Sequence, residues 1–311
     1  MRKKGLLIAN TFLHTTKFQE HYEWLKQAAA RLDISLELCG NADRLWDMTT
    51  EPDWLDGYDF VLFWDKDIRY GELLEDYAGR HGIPIFNTIE SIGVCDDKFE
   101  TFRRLNRYNA GHPQEKIPLI PTVSAPMTYS NIGYNSQKFL DQVEKILGYP
   151  MVIKECYGSF GMQVYLAENR QELERRSWNL AGTPFIYQKY LAQSSGRDVR
   201  LQVVGDRVVA AMLRYSQNGD FRANITNGGS MQKYEPAPSE CRLALQVCRI
   251  LGLDFAGVDL LFDRGEGQPA GVVCEVNSNA HFKNIYSCTR INVAEHIMGY
   301  IAQKIQENEG R

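Results

Sequence analysis

Residues 274–282 read CEVNSNAHF and close an apolar run, Gly271-Val272-Val273, with Glu275 and Asn277 two positions apart. In an extended strand that spacing puts both side chains on one face. Burying a carboxylate without a partner costs several kcal/mol, roughly, so the reading of this stretch turns on what compensates Glu275. The run GVDLLFD, residues 257–263, supplies an answer. Asp259 lies on the face opposite Val258 and Leu260, and the connection 263–270 is short enough to pair the two strands. Antiparallel pairing brings Asp259, Glu275 and Asn277 within reach of one another. Three oxygen-bearing side chains on rigid strands suit Mg²⁺, which leaves its other positions to water and phosphate oxygens. The competing reading is a hydrogen-bonded polar patch at a sheet end.

Two further constellations accompany these strands. In MVIKECYGSFGMQV, residues 151–164, Lys154 ends a β-rich run, and Gly158 and Gly161 flank Ser-Phe at a hairpin tip. Such a tip offers backbone N–H groups to a polyphosphate while the strand lysine fixes a positive charge. No GK[ST] follows the glycines, so this is not a Walker loop. The other set is basic: Arg197, Asp198, Arg200 and Arg214 on VRLQVVGDRVVAAMLRY and its flank, then Arg222 and Asn224 in GDFRANITNGG. Arg200 and Arg214 are placed to flank a cleft and to hold anionic oxygens by paired N–H donors. A solvated strand face is the plainer alternative for any one of them.

The 311 residues, 44% hydrophobic and 24% charged, have ordinary globular composition and length for about two domains. A formal charge of −4 gives no whole-chain case for nucleic acid or an acidic membrane surface, so an anionic ligand needs a local basic pocket. The start, MRKKGLLIA, has too short an apolar core for a signal peptide, and no stretch approaches the ~18 apolar residues of a membrane span. Seven cysteines without close pairs argue against a disulfide framework, and a cytoplasmic location is expected. No histidine falls with cysteine at zinc-ligand spacing. His281 alone lies near the opening motif, as a candidate substrate contact.

Along the chain, GLLIA, an amphipathic stretch through Tyr22, Leu25, Ala29 and Leu32, then ISLELC, DFVLFW and IPIF form a βαβ pattern and predict a small parallel-sheet domain over 1–90. It lacks a GxGxxG loop. One connecting helix is expected over 91–109, followed by extended IPLIPTVSAP. A central unit over 91–185 contains a helix from Lys138 to Leu147, the glycine hairpin, and a helix from Gln171 to Leu180. FIYQKYL then leads into a unit over 186–311, with a hairpin turning at Gly205-Asp206, a helix from Ser239 to Leu251, the strands GVDLLF and GVVCEVN, and a final helix from Asn292 to Gln306.

In this order the pieces resemble the ATP-grasp superfamily, and more narrowly the RimK-like amino acid ligases, from about Asp96 to Ile301. CDDKFETFRRL resembles the family's opening helix, with Lys98 as a phosphate-binding lysine. VIKECYGSFGMQV resembles its second lysine, Lys154, and glycine lid. IYQKYL is similar to the hinge strand that receives adenine, and AGVDLLF and CEVNSN to the magnesium strands. The resemblance implies an α/β and α+β fold with an N-terminal Rossmann-like pre-ATP-grasp domain, a central lid subdomain and a C-terminal subdomain. It implies ATP and Mg²⁺, with Mn²⁺ as an alternative ion, and ATP-dependent amide formation through an acyl phosphate. The partners implied are a carboxylate and an amine acceptor of amino-acid or peptide type, with no nucleic acid and no membrane; a homo-oligomer is compatible.

By the same resemblance, Gln188, Lys189, Tyr190 and Leu191 receive the adenine edge. Asp198, Arg222 and Asn224 contact nucleotide, and Arg214 stabilises the oxyanion formed when the amine attacks. Asp259, Glu275 and Asn277 hold the metal. An ATP-grasp phosphotransferase and a regulatory nucleotide binder are the alternatives, but the regulatory reading expects loss of a lysine or metal ligand, and all five positions are filled. The chain departs from its relatives at the hinge, which reads Gln188-Lys189-Tyr190 where Glu is usual before Tyr, at Ser278-Asn279-Ala280-His281 instead of Ala-Ser-Pro, and in the bulk of Cys156, Tyr157 and Phe160 at the lid.

Overall fold

The computed structural model describes residues 2–310 except 14, 51, 53, 159–160, 224–227 and 266, with residues 17 and 309 described by backbone only. The first unit runs β1 (Lys3–Ala9), α1 (Thr16–Arg31), β2 (Ile34–Gly40), β3 (Phe60–Trp64), α2 (Ile68–Arg80) and β4 (Ile85–Phe86). Its strands are parallel in the order β2-β1-β3-β4. Every residue of β3 is buried, as a strand covered on both faces requires. Tyr22, Leu25 and Ala29 form the buried stripe of α1. Helix α2, absent from the sequence reading, starts where the Asp67 carboxylate accepts the Tyr70 N–H at 3.2 Å.

The single helix expected over 91–109 is instead two, α3 (Ile89–Asp96) and α4 (Lys98–Gly111). Asp97 is extended (φ −99°, ψ 108°), and its carboxylate accepts the N–H groups of Phe99 and Glu100. An Asp at this position caps the second helix more effectively than it continues the first. The break turns the Lys98 N–H onto the Cys156 carbonyl at 3.0 Å, which ties α4 to the glycine hairpin.

Next come β5 (Thr122–Ser124), α5 (Leu140–Leu147), β6 (Met151–Glu155), β7 (Val164–Ala167), α6 (Arg170–Asn179) and β8 (Phe185–Lys189). The four strands form an antiparallel sheet in the order β5-β8-β6-β7. The rest of the chain is β9 (Arg197–Val204), β10 (Arg207–Tyr215), β11 (Ser230–Lys233), α7 (Pro238–Leu251), β12 (Phe255–Leu261), β13 (Val272–Asn277), α8 (Lys283–Thr289) and α9 (Val293–Glu309). Its antiparallel sheet has the order β11-β10-β9-β12-β13. Gly205, at φ 58°, turns the β9–β10 hairpin as its glycine predicts. Among the described residues no helix is long and apolar enough to cross a membrane.

The first sheet is locked onto the last. Asn87, fully buried just after β4, donates to the carbonyls of Phe255 (2.9 Å) and Ser278 (3.2 Å) and accepts the N–H groups of Asp254 (2.6 Å) and Phe255 (3.1 Å). Trp64 stacks on Phe255 with ring centroids 5.9 Å apart, within a core shared by α1, α9 and both sheets. This joint sets the end of β3 beside the segment that follows β13.

Candidate functional site

A cleft between the middle and last sheets is lined by Lys98, Lys154, Gly158, Gly161 and the 188–191 segment on one side. Asp198, Arg214, Arg222, Asp259 and Glu275 line the other. The register explains the second wall. Asp259 on β12 lies opposite Glu275 on β13 and Arg200 on β9, and Asp198 on β9 lies opposite Arg214 on β10. Because Asp198 and Arg200 are two residues apart, one face of β9 delivers both.

These side chains form a continuous ionic chain, Arg200–Asp259–Arg214–Asp198. Arg200 grips Asp259 through two N–H donors at 2.6 Å each, and Arg214 grips Asp198 at 2.6 and 2.8 Å and reaches Asp259 at 2.8 Å. Bidentate guanidinium–carboxylate geometry of this kind is what makes buried charge tolerable. Burial alone would raise the Asp259 pKa, but the two guanidiniums outweigh it and hold the carboxyl below the usual carboxylate range. Asp198 is shifted upward, by burial first, with the Arg214 guanidinium opposing it.

The lysines stand across from this wall. Lys98 donates to the Gly158 carbonyl at 3.3 Å and lies 3.5 Å from Glu275, while Lys154 approaches the Cys274 sulfur at 3.6 Å. Gly161, at φ 72°, exposes a carbonyl that the Arg222 guanidinium takes at 2.8 Å; Arg222 is held in turn by Asp220 at 2.7 Å. At the hinge, the Gln188 side chain turns into the sheet and donates to Thr122 Oγ1 (3.1 Å). The Lys189 N–H bonds to Pro121, and the Leu191 carbonyl accepts from Ser194. Asn224 and Phe160 lie outside the described residues.

Arg200 and Asn277 do not line this cleft. They line an adjoining cavity of about 670 Å³ that shares Arg214 and Glu275 with it. The expected metal ligands therefore straddle the junction of the two spaces. An ion fits them chemically. Among the described residues Glu275 has a single cation, 3.5 Å away, and three hydrogen bonds leave Asp259 one of its roughly four acceptor sites, so both carboxylates keep oxygen lone pairs for a cation. Among the described residues no group of three or more His, Cys, Asp and Glu side chains could hold a metal ion; the expected set has two carboxylates, and its third member is the amide of Asn277.

The larger cavity contains residues that the sequence reading missed, on the first unit: Asn10, Phe18, Tyr22, Asn41, Trp64 and Asp65. A signal for them exists. The four parallel strands are each followed immediately by Asn or Asp, at Asn10, Asn41, Asp65 and Asn87. In open parallel sheets ligands sit outside the carboxyl ends of the strands. Burial, reinforced by the nearby Asp65 carboxylate, pushes the Tyr22 hydroxyl up to about 12. His281 also lines this cavity, its ring packed on Phe18 (5.0 Å) and His21 (4.4 Å).

Residues 96–301 match the RimK-like ATP-grasp domain. The chain is 31% identical over 285 residues to the uncharacterized protein MG012 homolog of Mycoplasma pneumoniae, covering 90% of this chain and 92% of the other. Over 240 residues, 76% of its length, it is 36% identical to human beta-citrylglutamate synthase B, of which it spans only 57%. A structure of the ATP-grasp ligase PsnB, complexed with a phosphomimetic variant of its minimal precursor, Mg and ADP, superposes with a TM-score of 0.69 at 13% identity, covering 97% of this chain and 99% of that one. At that identity the likeness shows the fold alone.

Proposed function

The chain belongs to the RimK-like ATP-grasp family and is an ATP-dependent ligase, and from that premise we propose that it joins a carboxylate to an amine through an acyl phosphate, adding an amino acid to a small molecule, peptide or protein tail. One observation carries this reading: the cleft lined by Lys98 and Lys154 opens, at Arg214 and Glu275, into a second cavity large enough for an organic substrate. A nucleotide site that ends in a substrate chamber is the layout for passing a phosphoryl group to a carboxylate and then an acyl group to an amine.

Lys98, Lys154 and Arg222 bind the phosphate chain, and the backbone around Tyr190 meets the adenine edge. Asp259, Glu275 and Asn277 would hold Mg²⁺, or Mn²⁺ in its place, and the ion would neutralise charge on the phosphate oxygens. A substrate carboxylate oxygen bonds to the terminal phosphorus as the bond to the ADP oxygen breaks. The amine nitrogen then bonds to the acyl carbon, phosphate leaves, and the amine gives up a proton. Arg214, fixed by Asp198 and Asp259 through Nε and Nη2, keeps its Nη1 N–H groups for the oxyanion, a role in which one donor is worth roughly 3 to 4 kcal/mol. The glycine hairpin excludes the water that would hydrolyse the acyl phosphate.

ADP release in the presence of Mg²⁺, screened across amino acids and carboxylic acids with mass spectrometry of the products, tests this reading. Hydroxylamine should intercept the intermediate as a hydroxamate. ADP formed with neither hydroxamate nor amide, and with a stable phosphorylated acceptor instead, would replace the ligase by a phosphotransferase.

A further inference from the structure

The two ends of the 670 Å³ cavity differ in what they offer a ligand, guanidinium donors at one and carboxylate and amide acceptors at the other. Its inner end, where it meets the cleft, carries Glu275 together with Arg200 and Arg214, whose Nε and Nη2 atoms are taken by Asp259 and Asp198 and whose Nη1 atoms remain as donors. Its outer end is the carboxyl edge of the first sheet, and there the Asp65 carboxylate is only 7% exposed. Among the described residues no ion pair reaches it. Its hydrogen bonds come from neutral donors: the Lys66 backbone N–H at 2.7 Å, the Asp67 backbone N–H, and the Asn10 amide, shared between both oxygens at 3.3 and 3.4 Å. Lys66 directs its ammonium to Asp96. With burial as the main cause, the Asp65 pKa is raised, as expected for a carboxylate that lacks a cation.

The neighbouring amides are oriented by partners that leave no choice. Asn279 reaches the Asp65 carbonyl at 2.9 Å, and a carbonyl only accepts, so Nδ2 faces it. Oδ1 therefore faces the other way, and it is buried without a partner. Asn10 accepts the Phe12 N–H at 3.0 Å through Oδ1, which fixes its Nδ2 on Asp65. What remains open at this end is acceptor capacity: the Asp65 carboxylate, which faces neutral donors and no cation, and Asn279 Oδ1. Trp64, Tyr22 and Phe18 wall the same cavity and give it apolar surface for a hydrocarbon body.

We propose that Asp65, with Asn279, is a specificity site for an ammonium group, and that the chamber selects a substrate with a carboxylate at the Arg200–Arg214 end and a cationic amine at the other, joined by an apolar body. The ammonium is a recognition group, distant from the reacting end. The proposal rests on the ligase reading only for which end reacts; the charge preference of the chamber stands apart from it.

Three probes of one chain length separate the terms: 6-aminohexanoate, hexanoate and adipate, each titrated calorimetrically into the full chain with and without a non-hydrolysable ATP analogue and Mg²⁺. The expected order is 6-aminohexanoate tighter than hexanoate by about tenfold to a hundredfold, the range of a charge-assisted hydrogen bond, with adipate weakest. Asp65→Asn should erase that preference while binding the ATP analogue as the parent does. Asp65→Ser repeats the test with a smaller uncharged side chain, and urea unfolding confirms that each variant is folded. Equal or tighter binding of hexanoate or adipate, a preference that survives both variants, or no binding of any probe would overturn the proposal. Loss of analogue binding together with intact amine selectivity would instead reject the ligase reading and leave the chamber's preference standing.

Discussion

Asp259 in the cleft and Asp65 in the chamber are 2% and 7% exposed, and the protein treats them in opposite ways. Asp259 has two guanidiniums of its own and is held below the ordinary carboxylate range; Asp65 has only neutral donors and is pushed above it. The difference separates two kinds of site. The cleft is preorganised by charges the chain already owns, which suits chemistry repeated on every substrate. The chamber leaves a charge uncompensated, and a group on the ligand completes it.

The largest break in this contrast comes from the cleft. Asp259→Ala leaves Arg200 and Arg214 without their shared partner, a loss costing about 3 to 5 kcal/mol of stability for a buried pair. It should also abolish ADP release while the chain remains folded in mild buffer; near-normal turnover would remove Asp259 from the metal site. Glu275→Ala should likewise abolish turnover, with a smaller stability loss because Glu275 is less buried and has one distant cation. Arg214→Ala should slow amide formation by about 10²- to 10³-fold in single-turnover experiments with ATP analogue binding retained. An unchanged rate there would place the oxyanion elsewhere.

Removing the joint between the two regions gives a smaller effect. Asn87→Ala deletes four hydrogen bonds at a fully buried position and should cost about 2 to 4 kcal/mol in urea unfolding. It should also weaken probes of the chamber more than it weakens ATP analogue binding, because the joint sets β3 against β13.

The smallest effect is a matter of sign. For Asp259 the folded pKa is depressed, so its stabilisation is present above the ordinary value of 3.8 and is lost as pH falls through the folded value. For Asp65 the folded pKa is raised. As pH rises past 3.8 the unfolded chain releases this proton first, and stability declines until the folded value is passed. Asp65→Asn should therefore match the parent at low pH and exceed it in stability at pH 7, whereas Asp259→Asn should fall below the parent at pH 7 and approach it in acid. Parallel unfolding curves at several pH values check both.

Much of the cleft was legible because its residues lie on strands whose period and spacing are local. GVDLLF and CEVN pair as their short connection implies, and RDVR places Asp198 and Arg200 on one face. The break at Asp97 was missed because capping outweighs helical periodicity at a single residue, and the two adjacent aspartates give no periodic sign of it. The Gln188 side chain could not be placed from sequence, since its partner Thr122 is 66 residues away on a strand of three residues. Asp65 escaped notice for a different reason. The Asn or Asp after each parallel strand is visible in the sequence, but that these residues share one edge, and that this edge meets β13, depends on strand order and on the Asn87 joint.

The hydrogen bonds from Lys98 to Gly158 and from Arg222 to Gly161 give the hairpin a second character. With Lys98 and Arg222 as phosphate ligands, the hairpin carbonyls and the phosphate oxygens are rival acceptors for the same N–H donors, and the hairpin is an intramolecular competitor of the nucleotide. Apparent ATP affinity is then the intrinsic affinity reduced by the fraction of chains whose donors are free. On that proposal ADP would hold the same donors with one phosphate fewer after transfer, and the returning carbonyls would help to displace it.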